Sequence, residues 1–376
     1  MSAPERIALT GLAPPFRGGI AHYTLHLGAS LGRHASVRLF AWARQYPSLL
    51  FPGTSQHDPA PLGPSVETVR SLDPLRPWTW LETVDLVRRF GAVRLVHQWW
   101  HPWFAPATWS LLNACTASGI PVTVLCHNIE PHEAFPGAAA ATRAALGPAE
   151  RIIVHGQRDA STARKWWPGA EVAIHPHPPY AILAGPEMDP REARSRLGID
   201  HAGPVVLFFG CVRSYKGLGD LVDAVPALSR AVPDVLVVVA GEFYDPRARY
   251  ERRIEELGIR DRVHIEGRYI PNAEVGLWLR AASVVALPYR QATGSGVLPL
   301  ARAAGVPVVS TRVGDLPDAL VEGRDGLLVP PRDPAALAGA IARLIVHPPD
   351  GSAIARAARE HGWDGLARLV LGAGTG

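Results

Sequence analysis

A chain of 376 residues that meets its need for positive charge almost entirely with arginine keeps just two lysines, Lys165 and Lys216. Lys216 lies in Phe209-Gly210-Cys211-Val212-Arg213-Ser214-Tyr215-Lys216-Gly217, directly after the apolar run 205–208. An ammonium is a compact point charge that a planar guanidinium does not mimic. An apolar strand, a glycine turn and a helix with a lysine in its first turn make a phosphate-binding arrangement; a solvated loop lysine is the plain alternative. Two further glycine turns carry the same chemistry. The first runs from Gly11 to Ile20 through Gly18-Gly19, where paired glycines let backbone N–H groups approach a ligand. The second is Ala292-Thr293-Gly294-Ser295-Gly296-Val297, which offers successive N–H groups and a hydroxyl to a diphosphate at a helix start. Pro299 stands where a dinucleotide fingerprint needs its third glycine, which argues against an NAD site. No Asp-x-Asp pair occurs, so leaving phosphates must be neutralised by Arg, Lys and helix dipoles.

Cys126-His127-Asn128-Ile129-Glu130-Pro131-His132-Glu133 is dense in groups that donate, accept or ionise. Its spacing is wrong for a helical zinc site and Pro131 interrupts any helix, so no metal is assigned. Hydrogen bonding to a polyhydroxylated substrate, or acid–base work by one His or Glu, is the use that fits. His155, His175 and His177 read as ordinary loop or core histidines. Six of the eleven tryptophans fall between Trp78 and Trp109, with Trp99 and Trp100 at the centre. Aromatic faces stack on sugars, and clusters of them also pack cores or touch lipid.

These segments need a scaffold that presents strand ends. Strand-length apolar runs recur at 7–9, 37–40, 93–96, 122–126 and 152–154, and again at 205–209, 236–240, 263–265, 284–287 and 306–309, with helical patterns between them. Strands alternating with helices imply parallel sheets covered on both faces, and the spacing gives two of them. Leu218, Leu221, Val222, Val225 and Leu228 share one helical face, which buries that face against a sheet and aims the helix N-terminus at the carboxyl ends of the strands. Residues 176–203, rich in Pro and charge, read as the connection between lobes, and the stretch from 335 onward as helical.

Composition narrows the class. A formal charge of +4 carried by scattered arginines gives nucleic acid binding little support. Three cysteines without a CxxC pair indicate neither a disulfide framework nor a thiolate metal site. No signal peptide is read at the N-terminus, and no stretch approaches the roughly 20 apolar residues of a membrane span. A cytoplasmic enzyme is expected, with peripheral membrane contact at the inner face left open by the tryptophan cluster and surface arginines.

Taken together, these segments resemble the retaining, nucleotide-sugar-dependent GT-B glycosyltransferases of family 4 over nearly the whole chain. The resemblance is carried by Pro15 and Gly18-Gly19-Ile20, His127-Asn128, Gly210 with Lys216-Gly217, Gly305-Val306-Pro307-Val308-Val309, Val313-Gly314-Asp315-Leu316-Pro317-Asp318 and residues 323–333. A side branch reading roughly FFGxxRxYKG and ATxSGV is nearer still; it shares Arg213 in place of an arginine at Cys211, and also Arg44-Gln45-Tyr46-Pro47 and Leu50-Phe51-Pro52-Gly53. The resemblance implies an α/β protein of two Rossmann-like, doubly wound parallel-sheet domains facing each other across a cleft. Residues 1–178 would bind the acceptor and 179–346 the nucleotide sugar, with a helical segment, 347–376, crossing back to the first domain.

The candidate site follows. His127, Arg213 and Lys216 are assigned to catalysis. Gly18, Gly19, Arg213, Lys216, Glu242, Thr293, Gly294, Ser295, Gly296 and Val297 are assigned to the donor, a UDP- or GDP-sugar used as co-substrate, with no cofactor or metal. Asn128, Glu130, His132, Glu133, Trp99 and Trp100 are the acceptor-side candidates for a hydroxyl on a glycan, glycolipid or natural product. Family members usually hold donor sugar and ribose with two glutamates, at positions that here are Ala292 and Leu300, so Glu242 or Glu322 is left for the ribose. Glycosyl transfer with retention is the principal expectation. A nucleotide-sugar epimerase or hydrolase using Glu130 or Glu133 as base, and a noncatalytic nucleotide-sugar-binding subunit, are the alternatives; acceptor identity and oligomeric state are not legible.

Overall fold

The structure, a computed structural model, describes residues 4–46, 55–58, 63–130, 136–181 and 183–372. The chain divides into two compact units, Met1–Pro176 with His361–Gly376, and His177–Glu360.

The first unit is built on a parallel sheet of seven strands: β1 (Arg6–Gly11), β2 (Ser36–Trp42), β3 (Thr68–Leu72), β4 (Arg94–Trp99), β5 (Val122–Cys126), β6 (Arg151–Val154) and β7 (Glu171–Ile174). Their spatial order is β3-β2-β1-β4-β5-β6-β7. β1 pairs with β2 through Ile7↔Val37 and Leu9↔Leu39, and with β4 through Leu9↔Val96. β5 is buried at every position, as a strand with helices over both faces must be. Its apolar run is continuous for that reason. β3 and β7 stand at the edges, partly exposed, and neither is among the expected strands; β3 has no continuous apolar run, whereas β7 carries Val172-Ala173-Ile174.

The second unit carries a parallel sheet of six strands: β8 (Val205–Phe209), β9 (Leu236–Ala240), β10 (Val263–Glu266), β11 (Val284–Leu287), β12 (Val308–Thr311) and β13 (Gly326–Val329). Here the order is β10-β9-β8-β11-β12-β13. The helix Leu218–Ala231 buries Leu218, Leu221, Val222, Val225 and Leu228, the face expected from their spacing. Each of these side chains stabilises the unit by roughly 1.5–3 kcal/mol through burial, so truncating Leu221 to alanine would cost about 3 kcal/mol. β13, four buried residues beginning with glycine, is an addition to the expected strands.

Two expectations need correction. Residues 177–203 are not a bare connection. They belong to the second unit and contain the helix Pro190–Arg196, capped by Asp189, whose carboxylate accepts from the N–H groups of Arg191 and Glu192. Buried Arg194 ties that segment down by donating to the carbonyls of Ala281 and Gly203. The Asp-Pro-x-Glu start was a legible helix signal. Secondly, the boundaries differ from 178/179 and 346/347. The helix Gly351–Glu360 packs on Val297–Ala303 in the second unit, whereas Trp363–Leu371 packs on Gly19–Leu31 in the first.

Candidate functional site

In an open α/β sheet, ligands bind outside the carboxyl ends of the strands where the strand order reverses. In the second sheet that point lies between β8 and β11, because the chain winds outward from β8 to β10 and then returns to the other side of β8. Lys216 follows β8 and Gly294–Val297 follows β11, so the topology brings the two glycine turns together. A Cβ at Gly210 would stand 3.4 Å from Lys216 Nζ and 3.8 Å from Val297. Gly217, at φ 72°, passes so close to the loop after β11 that a Cβ there would overlap the Pro288 carbonyl oxygen at 1.8 Å.

Lys216 is 9% exposed. Its ammonium lies 3.5 Å from Cys211 Sγ and 5.9 Å from the Tyr289 ring centroid. Burial draws its pKa down, but the facing Cys211, Tyr289 and Tyr215 outweigh that and the net direction is up. Among the described residues no carboxylate pairs with Lys216, and a buried cation that faces a thiol and two phenols with no carboxylate is an arrangement that favours binding of an anion.

Arg213 sits at the start of the single 3-10 turn Ser214–Lys216, with its guanidinium carbon 4.9 Å from the centre of the Tyr244 ring. The Val212 N–H donates to the Glu242 carbonyl and the Tyr244 N–H to the Val212 carbonyl, which zips the two loops together and places Glu242, 9% exposed, beside the Arg213 turn. Glu322 is different: exposed, it pairs with Arg312 and accepts from the Leu328 N–H. Those bonds, the Leu328 N–H first and then Arg312, hold its carboxyl below the usual range.

The Thr293–Val297 turn departs from expectation. Ser295 Oγ accepts from the N–H groups of Val297 and Leu298 and lies 3.2 Å from Tyr289 Oη. It therefore caps the helix Val297–Ala303, and those two N–H groups are not offered to a diphosphate. Thr293 is buried, and its carbonyl accepts from the Asp315 N–H. Ala292 and Leu300 are 7% and 8% exposed.

A contact the sequence reading missed supports both loops. Arg290 donates two hydrogen bonds to the Asp220 carboxylate, at 2.9 and 2.6 Å, tying the loop after β11 to the first turn of Leu218–Ala231. The Arg290 N–H donates to the Tyr215 carbonyl at 2.7 Å. Two carboxylates in that helix and an Arg after a strand carry no local signal of pairing across 70 residues.

In the first sheet the order reverses between β1 and β4. Gly18, at φ 104°, is the N-cap of the helix Gly19–Leu31 at this point, so the Gly18-Gly19 pair opens the helix from a backbone shape that favours glycine. His127 follows β5, and its N–H donates to the Trp99 carbonyl. Its Nε2 lies 3.1 Å from Gln98 Oε1, and the Tyr23 ring meets it edge-on at 4.5 Å between centroids. Tyr23 packs in turn against Trp363 at 4.8 Å and against His155 at 5.5 Å. Asn128 donates to the Trp100 carbonyl. Glu130 is exposed and 3.7 Å from Arg158. His132 and Glu133 lie outside the described residues, as do Pro47 and the segment 50–53. Trp99 and Trp100 are corrected: at 1% and 8% exposure they belong to the core with Trp42 and Phe104 and present no face for stacking on a sugar. The exposed members of the tryptophan cluster are Trp78 and Trp109.

Known proteins give a consistent picture. The family model described as "Glycosyl transferases group 1" matches residues 203–347. D-inositol 3-phosphate glycosyltransferase 1 of Catenulispora acidiphila is 30% identical over 304 residues, covering 75% of this chain and 72% of that protein. A D-inositol 3-phosphate glycosyltransferase of Corynebacterium glutamicum is 35% identical over 183 residues, 47% of this chain and 42% of that protein. Among solved structures, the sucrose-phosphate synthase of Thermosynechococcus elongatus superposes with a TM-score of 0.72 at 22% identity, covering 98% of this chain and 97% of that one. Anabaena HepE in complex with UDP gives 0.72 at 19% identity, with 98% of each chain covered. Among the described residues, no helix is long and apolar enough to cross a membrane.

Proposed function

The chain belongs to the group 1 glycosyl transferases and has their GT-B fold, and from that premise we propose that it moves a sugar, with retention and without a metal, from a nucleoside diphosphate sugar to a hydroxyl acceptor. The observation that carries this reading is the Lys216 ammonium, buried with no carboxylate partner among the described residues at the switch point of the second sheet.

A diphosphate gains negative charge as its bond to the anomeric carbon breaks. Lys216 and Arg213 stabilise that charge more in the transition state than in the ground state, which is what accelerates the step. The stacking of Arg213 on Tyr244 limits the rotamers of a long side chain, so less entropy is lost when it binds phosphate. The acceptor hydroxyl attacks the anomeric carbon from the face the diphosphate leaves, and a phosphate oxygen of the leaving group takes the hydroxyl proton. Glu242 accepts from the ribose hydroxyls. Thr293 and the Gly294–Gly296 backbone meet the donor, with Ser295 serving first as a helix cap. In the first unit, Gly18, Gly19, His127 and Asn128 are the candidates for contacts to phosphate and sugar hydroxyls. HepE, the fold neighbour seen with UDP, makes uridine the first base to try.

The test is calorimetric titration of the full chain and of Lys216→Ala with uridine, guanosine and adenosine diphosphates and their sugars, without added metal. Micromolar binding of one nucleotide, lost in the variant, is the expected result. Absence of binding to every member of the panel would overturn the donor-site reading. Incubation with the nucleotide sugar that binds and a panel of hydroxyl acceptors, followed by NMR of the glycoside formed, reads retention from the anomeric configuration.

A further inference from the structure

One side chain hydrogen-bonded to His127 is Gln98, a fully buried residue near the carboxyl end of β4. Its surroundings fix which way its amide points. Thr24 Oγ1, in the helix Gly19–Leu31, donates to the Ile20 carbonyl at 2.8 Å. With its one proton committed there, Thr24 can only accept from Gln98, whose Nε2 is 2.7 Å away. Gln98 Oε1 therefore faces His127 Nε2 and must accept from it. The flipped amide would take the Thr24 proton and leave two oxygens, Thr24 Oγ1 and the Ile20 carbonyl, 2.8 Å apart with no hydrogen between them. The site is built to fit this amide. A Cβ at Gly11 would stand 2.5 Å from Gln98 Nε2 and 2.8 Å from Thr24 Oγ1, so the glycine that ends β1 leaves the space the relay occupies.

We propose that Gln98, oriented by Thr24, is a positioning residue that holds a proton on His127 Nε2, so that in the neutral ring Nδ1 is the accepting nitrogen. This rests on the reading of His127 as part of the transferase site and deepens it. A neutral imidazole with its proton on Nε2 has one nitrogen lone pair, on Nδ1. A catalytic base is normally oriented by a carboxylate, which stabilises the imidazolium formed when it takes a proton. Gln98 is a neutral amide and offers no such stabilisation. The relay thus favours a histidine that accepts a hydrogen bond over one that takes up a proton.

The tautomer can be read without any activity. In full-length protein labelled with 15N-histidine, and with His127 assigned by its loss in His127→Gln, a two-bond 1H–15N spectrum at pH 7.5 is expected to show a protonated Nε2 and a pyridine-like Nδ1. Thr24→Val, which keeps the shape and removes the hydroxyl, is expected to mix the two tautomers and lower kcat, while leaving the Kd for the nucleoside diphosphate unchanged. Gln98→Glu puts a carboxylate beside the ring, favours the imidazolium, and is expected to move the acid limb of the pH–rate profile to higher pH. An Nδ1–H tautomer or an imidazolium in the wild type, or a tautomer indifferent to Thr24→Val, would overturn the proposal. A wild type with the expected tautomer but no transfer to any acceptor would leave the relay standing and count against the transferase reading alone.

Discussion

Lys216 shows what a single residue can reveal and what it hides. Its rarity and its place after β8 made it legible in the sequence, but its surroundings were not, since Tyr289 arrives from a loop 73 residues later. Lys216→Ala is expected to lower kcat/KM on the order of a hundredfold, about 3 kcal/mol of transition-state stabilisation, with a melting temperature no lower than the wild type's, because a buried charge without a counter-ion costs free energy. Lys216→Arg should rescue poorly. A larger, planar cation does not fit where Gly210 and Cys211 approach the ammonium this closely. Steady-state kinetics on both variants checks this, and an arginine variant with wild-type rates would contradict the account. Ser295 makes the opposite point. Its type and spacing suited a phosphate, yet the nearest orphan N–H groups belong to its own chain and take its oxygen first.

At the scale of elements, the central strands were legible because burial on both faces demands an unbroken apolar run, as in β5 and β8. β3, TVRSL, and β7, EVAI, were not, because an edge strand is specified by its neighbour's ladder more than by its own composition. The same limit hid Asp220–Arg290. This ion pair is the link between two loops that must keep Lys216 in place, and it is tested by Arg290→Leu. The substitution leaves the Asp220 carboxylate, 8% exposed, without its main partner. Because Arg290 is itself 29% exposed, the expected destabilisation is about 2 kcal/mol, less than for a fully buried pair. Nucleotide affinity should fall with it as the turn that carries Lys216 loosens. Denaturant unfolding and titration on the same variant read both effects, and unchanged affinity beside lost stability would reduce the pair to a structural role. Gly217→Ala probes the contact from the other side: the Cβ meets the Pro288 carbonyl oxygen, so the loops must part and binding should be lost.

Across the molecule, the buried histidines divide unequally between the units. Burial pulls His97 down to about 3, between its hydrogen-bonding partners Thr10 and Thr108. Burial, with His22 adding to it, pulls His26 down to about 4. His175 is lowered by burial, with the Pro176 carbonyl opposing and His361 adding to the shift. All three lie in the first unit. The unfolded chain takes up protons at these positions below about pH 6.5, and the folded unit does not until pH nears 4 or 3. Proton uptake then favours the unfolded state, so stability must fall as pH drops through that window and recover as pH rises. Asp364 acts in a different window. Hydrogen bonds from His34 first, and then Arg33, hold its carboxyl below the ordinary value of 3.8, so its contribution persists through the histidine window and is lost only in stronger acid. The helix Trp363–Leu371 reports the earlier event, since Trp363 stacks on His26 at 5.1 Å and 21°. Acidification from pH 7 to 5 is expected to lower the melting temperature of the first unit by on the order of 5 °C. In hydrogen exchange, peptides from 19–31 and 363–371 should lose protection together, while 205–209 and 236–240 keep theirs. Equal loss of protection in both sheets would mean that some other set of groups governs the acid response.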